Sequence, residues 1–110
     1  MKKKNLIAIA KKFKFTDEQS ARMIGLSLRT FRTITPTSDL SVLASEMVIR
    51  LSELYECGVN TFGNSKSFIL WLNSDIPALG YRKPILLIES GMGVSIVINL
   101  LTGMEYGVVM

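Results

Sequence analysis

Histidine is absent from this 110-residue sequence, cysteine and tryptophan occur once each, and proline occurs three times. Without histidine, and with Cys57 alone, the familiar zinc clusters and any cysteine–histidine nucleophile pair are excluded. A single cysteine also excludes an intramolecular disulfide, and its place in an apolar run predicts a buried thiol rather than a reactive one. No run of about 20 apolar residues is present, so no membrane-spanning helix is expected. The start, MKKKNLIAIAKKFKF, is basic, but only Leu6 to Ala10 separate its lysine groups after Asn5, too short an apolar stretch for a secretory signal. A cytoplasmic location follows as the expectation. Carboxylates are scattered: Glu46, Glu53 and Glu56 share a helical spacing that reads as a solvated outer face, not as an acid–base site. Gly91-Met92-Gly93 lacks the flanking strand, third glycine or lysine of a phosphate-cradling loop and reads as a hinge. Neither an enzyme nor a cofactor is expected.

What is abundant is apolar surface. Residues of the AVILMFWYC set make up 48% of the chain and the mean hydropathy is +0.33. The length fits one domain, or two half-domains sharing a core. Small domains hide a lower fraction of their surface, so a partner protein, a homodimer or both are expected to cover the excess. Charge is unevenly spread. Residues 1–36 hold nine basic side chains against Asp17 and Glu18, a balance of +7; residues 37–110 hold four basic and seven acidic ones, or −3. A basic front points to polyanion contact and leaves a different task for the back. For Lys2 to Lys4, a solvated lysine arm is an equally good reading.

Thr16, followed by Asp17, Glu18 and Gln19, is a helix start: the hydroxyl caps free amides and the carboxylates sit at the positive end of the helix dipole. The helix is expected to run to about Ile24 and stop at Gly25, with Ser27 capping a second helix through Leu28 to Ile34, which Pro36 prevents from continuing. Two helices joined at such a turn form a helix-turn-helix pattern, with a plain helical hairpin as the alternative. Small Ala21 suits close helix approach, and Ile24, Leu26, Phe31 and Ile34 are the expected buried positions. Ser27, Arg29, Thr30, Arg32 and Thr33 are then the candidate DNA-binding residues.

From a Ser41 cap, Val42, Leu43, Met47, Leu51, Leu54, Tyr55 and Phe62 follow the 3 and 4 step of one long helix, weakened at Gly58 and ended near Gly63-Asn64. Ser65 is expected to cap the next helix, whose apolar face holds Phe68, Ile69, Trp71 and Leu72. Asn73 to Lys83 reads as a loop, and Pro84 as a first helical position. Two short helices, 84–90 and 94–101, are expected on either side of the glycine hinge, with Gly103 ending the second. Val108-Val109-Met110 is unusually apolar for a chain end.

From about Phe62 to Val108 the sequence resembles the toxin-binding domain of the Xre/MbcA/ParS antitoxins, through Phe62-Gly63, Trp71-Leu72, Ala78-Leu79-Gly80, Arg82, Pro84, Gly91, Val97, Leu101 and Glu105-Tyr106-Gly107-Val108. Residues 17–62 resemble the helix-turn-helix and connecting helix that precede it in the same proteins, notably Ala21, Gly25, Ser27-Leu28-Arg29-Thr30-Phe31 and Leu40-Ser41 with Glu46 nearby. The resemblance implies an all-α chain: a basic N-terminal segment (1–15), a helix-turn-helix DNA-binding region with connecting helix (16–62), and a small helical toxin-binding domain (63–110). It also implies a type II antitoxin that silences a cognate toxin, usually a RES-domain protein that consumes NAD, by covering its active-site entrance, and that binds its own promoter. Two departures stand out. Members commonly place Thr or Ser where this sequence has Lys83, and they often carry a longer segment than these roughly 15 residues ahead of the helix-turn-helix.

Tyr81, Arg82, Lys83, Glu105, Tyr106 and Val108 are the candidate toxin-binding residues, because aromatic and arginine side chains beside an apolar tail are the usual interface anchors. The alternative packs Tyr106 and Val108 on Trp71. Operator DNA and a second copy of the chain are the other expected partners, since helix-turn-helix dimers read palindromic sites. The rival reading is a stand-alone transcriptional regulator whose back half only dimerises.

Overall fold

A computed structural model describes residues 1–105, with side chains through Met104. Among these residues the elements are α1 (Lys3–Phe13), α2 (Asp17–Met23), α3 (Leu28–Thr33), α4 (Val42–Phe62), α5 (Ser65–Leu72), a 3-10 turn (Pro77–Leu79), α6 (Pro84–Leu87) and α7 (Gly91–Glu105). The all-α expectation holds. The chain divides into two compact units, Met1–Ser52 and Glu53 onward, with α4 contributing its first half to one and its second half to the other.

The first unit begins with a helix, α1, where only a basic segment is expected from the sequence. Leu6, Ile9, Ala10 and Phe13 are buried at the i, i+3, i+4, i+7 spacing of one helical face. Lys14, in the left-handed region at φ 61°, closes α1, and its amide and that of Phe15 reach back to carbonyls of the last turn. The opening residues are not a free lysine arm. Lys2 pairs with Asp39 at 2.9 Å and Lys3 is 5% exposed. The hydrogen bond from Lys2, reinforced by its charge, holds the Asp39 carboxyl below the usual carboxylate range.

α2 starts at Thr16, as expected, with a reciprocal capping box: the Gln19 amide donates to Thr16 Oγ1 at 3.1 Å and the Thr16 amide donates to Gln19 Oε1 at 2.8 Å. Gly25 turns the chain at φ 72°, a conformation in which a Cβ would be strained, and the Leu26 amide returns to the Ala21 carbonyl at 2.9 Å. Ala21, Met23 and Phe31 are buried, whereas Ile24, Leu26 and Ile34, expected inside, are only half-buried.

α4 is capped by the Ser41 hydroxyl, which accepts from the Ala44 amide at 3.1 Å. Its buried stripe is Ala44, Met47, Val48, Leu51 and Leu54, which corrects the expectation for Val42 and Leu43. These two sit one residue out of phase with the stripe and are 74% and 78% exposed. Glu46, Glu53 and Glu56 are exposed, as the solvated-face reading has it. The helix does not weaken at Gly58: it continues to Phe62, and Gly58 is buried against the ring of Phe68, which leaves no room for a Cβ. Cys57 is half-buried rather than buried.

In the second unit, Gly63 ends α4 at φ 82°, and Asn64, not Ser65, caps α5 by accepting from the Ser67 amide at 2.8 Å. An amide oxygen one residue earlier reaches the third amide of the helix, where a hydroxyl at 65 would already be inside it. Phe68 and Leu72 are fully buried, with Phe62 and Trp71 stacked around Phe68 at 6.2 and 6.5 Å between ring centroids. Gly91-Met92-Gly93 is the first turn of α7, not a hinge. The Ser90 hydroxyl caps it by accepting from the Gly93 amide at 3.0 Å, and a Cβ at 93 would run into the Leu87 carbonyl. The glycine serves close packing between α6 and α7, so α6 stops at Leu87 and α7 passes through Gly103 to Glu105, two corrections to the expected boundaries. Ile88, Val94, Val97 and Leu101 complete this core.

Candidate functional site

Ile76 organises the loop between α5 and α6. Its carbonyl accepts from the Leu79 and Tyr81 amides, both at 2.9 Å, and its amide donates to the Arg82 carbonyl at 3.2 Å, closing residues 76–82 on themselves. Pro77 starts the 3-10 turn with its ring in place of an amide that would have no helical partner. The chain then needs two left-handed residues in succession. Gly80 supplies the first at φ 67°, and Tyr81 is forced into the second at φ 63°.

A side chain in that region carries a cost of about 1–2 kcal/mol. Burial of the side chain does not offset it at Tyr81, which is 70% exposed; the closure of the loop on Ile76 holds it there. Strain of this kind persists where the surroundings over-determine it and clusters at binding sites. Next to it, Arg82 Nε donates to the Leu79 carbonyl at 2.8 Å, which fixes the guanidinium against the loop. Lys83 pairs with Asp75 at 3.2 Å and offers α6 no side-chain cap, as its departure from Thr or Ser predicts. The structure thus brings Tyr81, Arg82 and Lys83 together on one exposed, rigid loop. Of the other candidates, Glu105 lies at the end of α7 with its side chain outside the described residues, and Tyr106 and Val108 lie outside them entirely, as does their possible packing on Trp71.

The sequence reading missed a second feature of this unit. Leu86, Leu87, Glu89, Ser90, Met92, Gly93 and Ile96 line an open groove of about 300 Å³, in which Leu86 and Met92 are 62% and 78% exposed. No local signal marks it, because its lining comes from α6, α7 and the link between them, and depends on how closely the two helices pack.

In the first unit, Ser27, Arg29, Thr30, Arg32 and Thr33 all lie exposed on or at the start of α3. Their hydroxyls are partly engaged. Ser27 accepts from the Thr30 amide at 3.2 Å and donates to Thr30 Oγ1 at 3.0 Å, and Thr33 donates to the Thr30 carbonyl at 2.8 Å. Arg32 Nε stands 3.5 Å from Asp17 on α2, an exposed pair that solvent weakens and a competing anion can displace. On α1, Lys4, Lys11 and Lys12 are exposed, as is Lys14 at its end.

Among the described residues no helix is long and apolar enough to cross a membrane. No curated protein matches the chain. Among solved structures, the chain is similar to one in the crystal structure of the M.tuberculosis MbcT-MbcA toxin-antitoxin complex, with a TM-score of 0.65 and 18% identity, covering 96% of this chain and 95% of that one. At that identity the likeness is one of fold. Residues 58–107 match the antitoxin Xre/MbcA/ParS C-terminal toxin-binding domain, a span that contains the strained loop, the groove and α7. On this match the second unit carries the C-terminal toxin-binding domain of the Xre/MbcA/ParS antitoxins.

Proposed function

We propose that this chain is an antitoxin of the Xre/MbcA/ParS type, and that it neutralises a cognate toxin by laying the loop at Tyr81, Arg82 and Lys83, together with Glu105, Tyr106 and Val108, across the toxin's active-site entrance. The observation that carries the reading is the toxin-binding domain at 58–107; the strained, exposed Tyr81 within it supports the choice of contact residues. The toxin is a RES-domain, NAD-consuming protein encoded beside it, and the complex forms in the cytoplasm. The antitoxin contributes occlusion and no chemistry of its own. The test is co-expression with the adjacent reading frame: the two proteins co-purify and growth is restored. Failure to co-purify any neighbour-encoded protein overturns the reading in favour of a stand-alone regulator.

The first unit represses the antitoxin's own operon, as a homodimer on a palindromic operator, with α3 in the major groove and its Arg29, Thr30, Arg32 and Thr33 face toward the bases. Such dimers set their two reading helices about 34 Å apart. The support is the pair α2–α3, its glycine turn and the exposed basic residues of the same unit. Binding to the DNA upstream of its coding sequence is expected to weaken with salt by about 0.9 in log-log slope for each phosphate neutralised. A binding curve flat in salt contradicts the proposal.

A further inference from the structure

The first unit contains one lysine that cannot meet a phosphate, and its position gives it a different task. Lys3 is 5% exposed, and a buried ammonium is costly unless its donors are satisfied. Here they are satisfied by α3. Lys3 Nζ donates to the carbonyls of Phe31 and Ile34, the latter at 2.8 Å, and stands 4.1 Å above the centre of the Phe31 ring.

α3 needs this help. It has six residues, where an isolated helix is marginal in water below about 12–15. Its end is not closed by a left-handed glycine: Ile34 is extended at φ −77° and ψ 127°, and Thr35-Pro36 follows. The last carbonyls of a helix have no partners within it. A cation at that end also complements the helix dipole. The neighbours of Lys3 fix the same stretch of chain. Its own amide donates to the Ser38 carbonyl, the Lys4 amide to the Pro36 carbonyl, and the Leu40 amide to the Met1 carbonyl, all within 2.8–2.9 Å, while Lys2 pairs with Asp39. The first four residues therefore clasp the segment that leaves α3, and Lys3 reaches from the clasp into the helix end itself.

We infer that Lys3 is a positioning residue for DNA reading: it sets the end and the orientation of α3 without touching DNA. This rests on the DNA-binding reading above. A positioning lysine and a phosphate-binding lysine have opposite signatures in salt. Removing a phosphate contact lowers the log-log slope by about 0.9, whereas removing a buried support lowers affinity at every salt concentration and leaves the slope unchanged.

The experiment is a salt series of binding to a duplex of the DNA immediately upstream of the coding sequence, with the wild-type chain, Lys3→Met and Lys3→Arg. Lys3→Met is expected to bind roughly 10- to 100-fold more weakly, the scale of hydrogen bonds to a charged group, with an unchanged slope. Lys3→Arg, which keeps the charge and the donors, recovers most of the affinity. If Lys3→Met does not fold by circular dichroism, Lys3→Gln, which keeps a neutral amide NH2 as donor, takes its place with the same expectation. Equal affinity of the variant and the wild type overturns the inference, and so does a slope reduced by about 0.9. If the wild-type chain itself fails to bind that duplex, the DNA reading fails first and the inference with it.

Discussion

Phe68→Ala is expected to destabilise the protein by about 3–5 kcal/mol, the range for truncating a fully buried aromatic side chain. Phe68 is 0% exposed and sits among Tyr55, Phe62 and Trp71, with centroid separations of 6.2 to 6.5 Å. Its ring also lies where a Cβ of Gly58 would be. That contact makes a sharper experiment of the same site. In an exposed helix interior, Gly→Ala stabilises by about 1 kcal/mol. At position 58 the added methyl collides with the ring, and overpacking of this kind costs about 1–3 kcal/mol, so Gly58→Ala is expected to destabilise. In the Phe68→Ala background the ring is gone and the methyl has room. There the same substitution reverses sign and stabilises. Denaturant unfolding of the four proteins, followed by far-UV circular dichroism, measures the coupling directly. A Gly58→Ala that is neutral or stabilising with Phe68 present contradicts the close packing of α4 on α5.

The loop gives the second large effect. Arg82→Ala and Tyr81→Gly are each expected to weaken the toxin complex by about 2 kcal/mol or more, close to 30-fold in affinity, as truncation of an interface anchor does. Tyr81→Gly separates this from damage to the fold. Glycine takes up φ 63° without strain, relieving about 1–2 kcal/mol, against which stands the larger chain entropy glycine has in the unfolded state. Stability is therefore expected to stay level or rise slightly while binding falls. If stability and affinity fall together, Tyr81 is a structural residue; if affinity is intact, the loop lies outside the contact. Titration calorimetry with the co-purified toxin and thermal unfolding of the free variants decide between these outcomes.

Much of this architecture was legible because local chemistry and tertiary structure agree. Thr16 with Gln19, Gly25, Ser27, Ser41 and Pro84 punctuate the chain where capping and turn rules put them. Where the reading went wrong, packing outweighed local propensity. Gly58 and Gly93 look like helix breakers, yet both are places where two backbones or a backbone and a ring approach too closely for a Cβ. That is a fact about how one helix packs on the next, which no local rule contains. Val42 and Leu43 have the right composition for a core and the wrong phase for this one. The helix α1 is a different case. Leu6, Ile9, Ala10 and Phe13 carried the helical spacing openly, and Lys3 lies on the same face three residues before Leu6. Three consecutive lysines pointed toward solvent, and what the sequence could not supply was the pair of carbonyls that make burial of one of them favourable. Of the proposed binding site, the residue types at 81–83 were readable, but the strain at Tyr81 was not, since it arises from the closure of residues 76–82 on Ile76.

The central claim is a division of labour: the second unit grips a toxin and the first grips DNA. Amide hydrogen exchange of the full chain, alone, with the toxin and with the upstream DNA duplex, tests it most directly. The account predicts two separate footprints, with toxin protecting residues 76–83 and the end of α7, and DNA protecting α3 and its preceding turn. Protection by the toxin confined to residues 1–52, or no protection in 76–83, would contradict it.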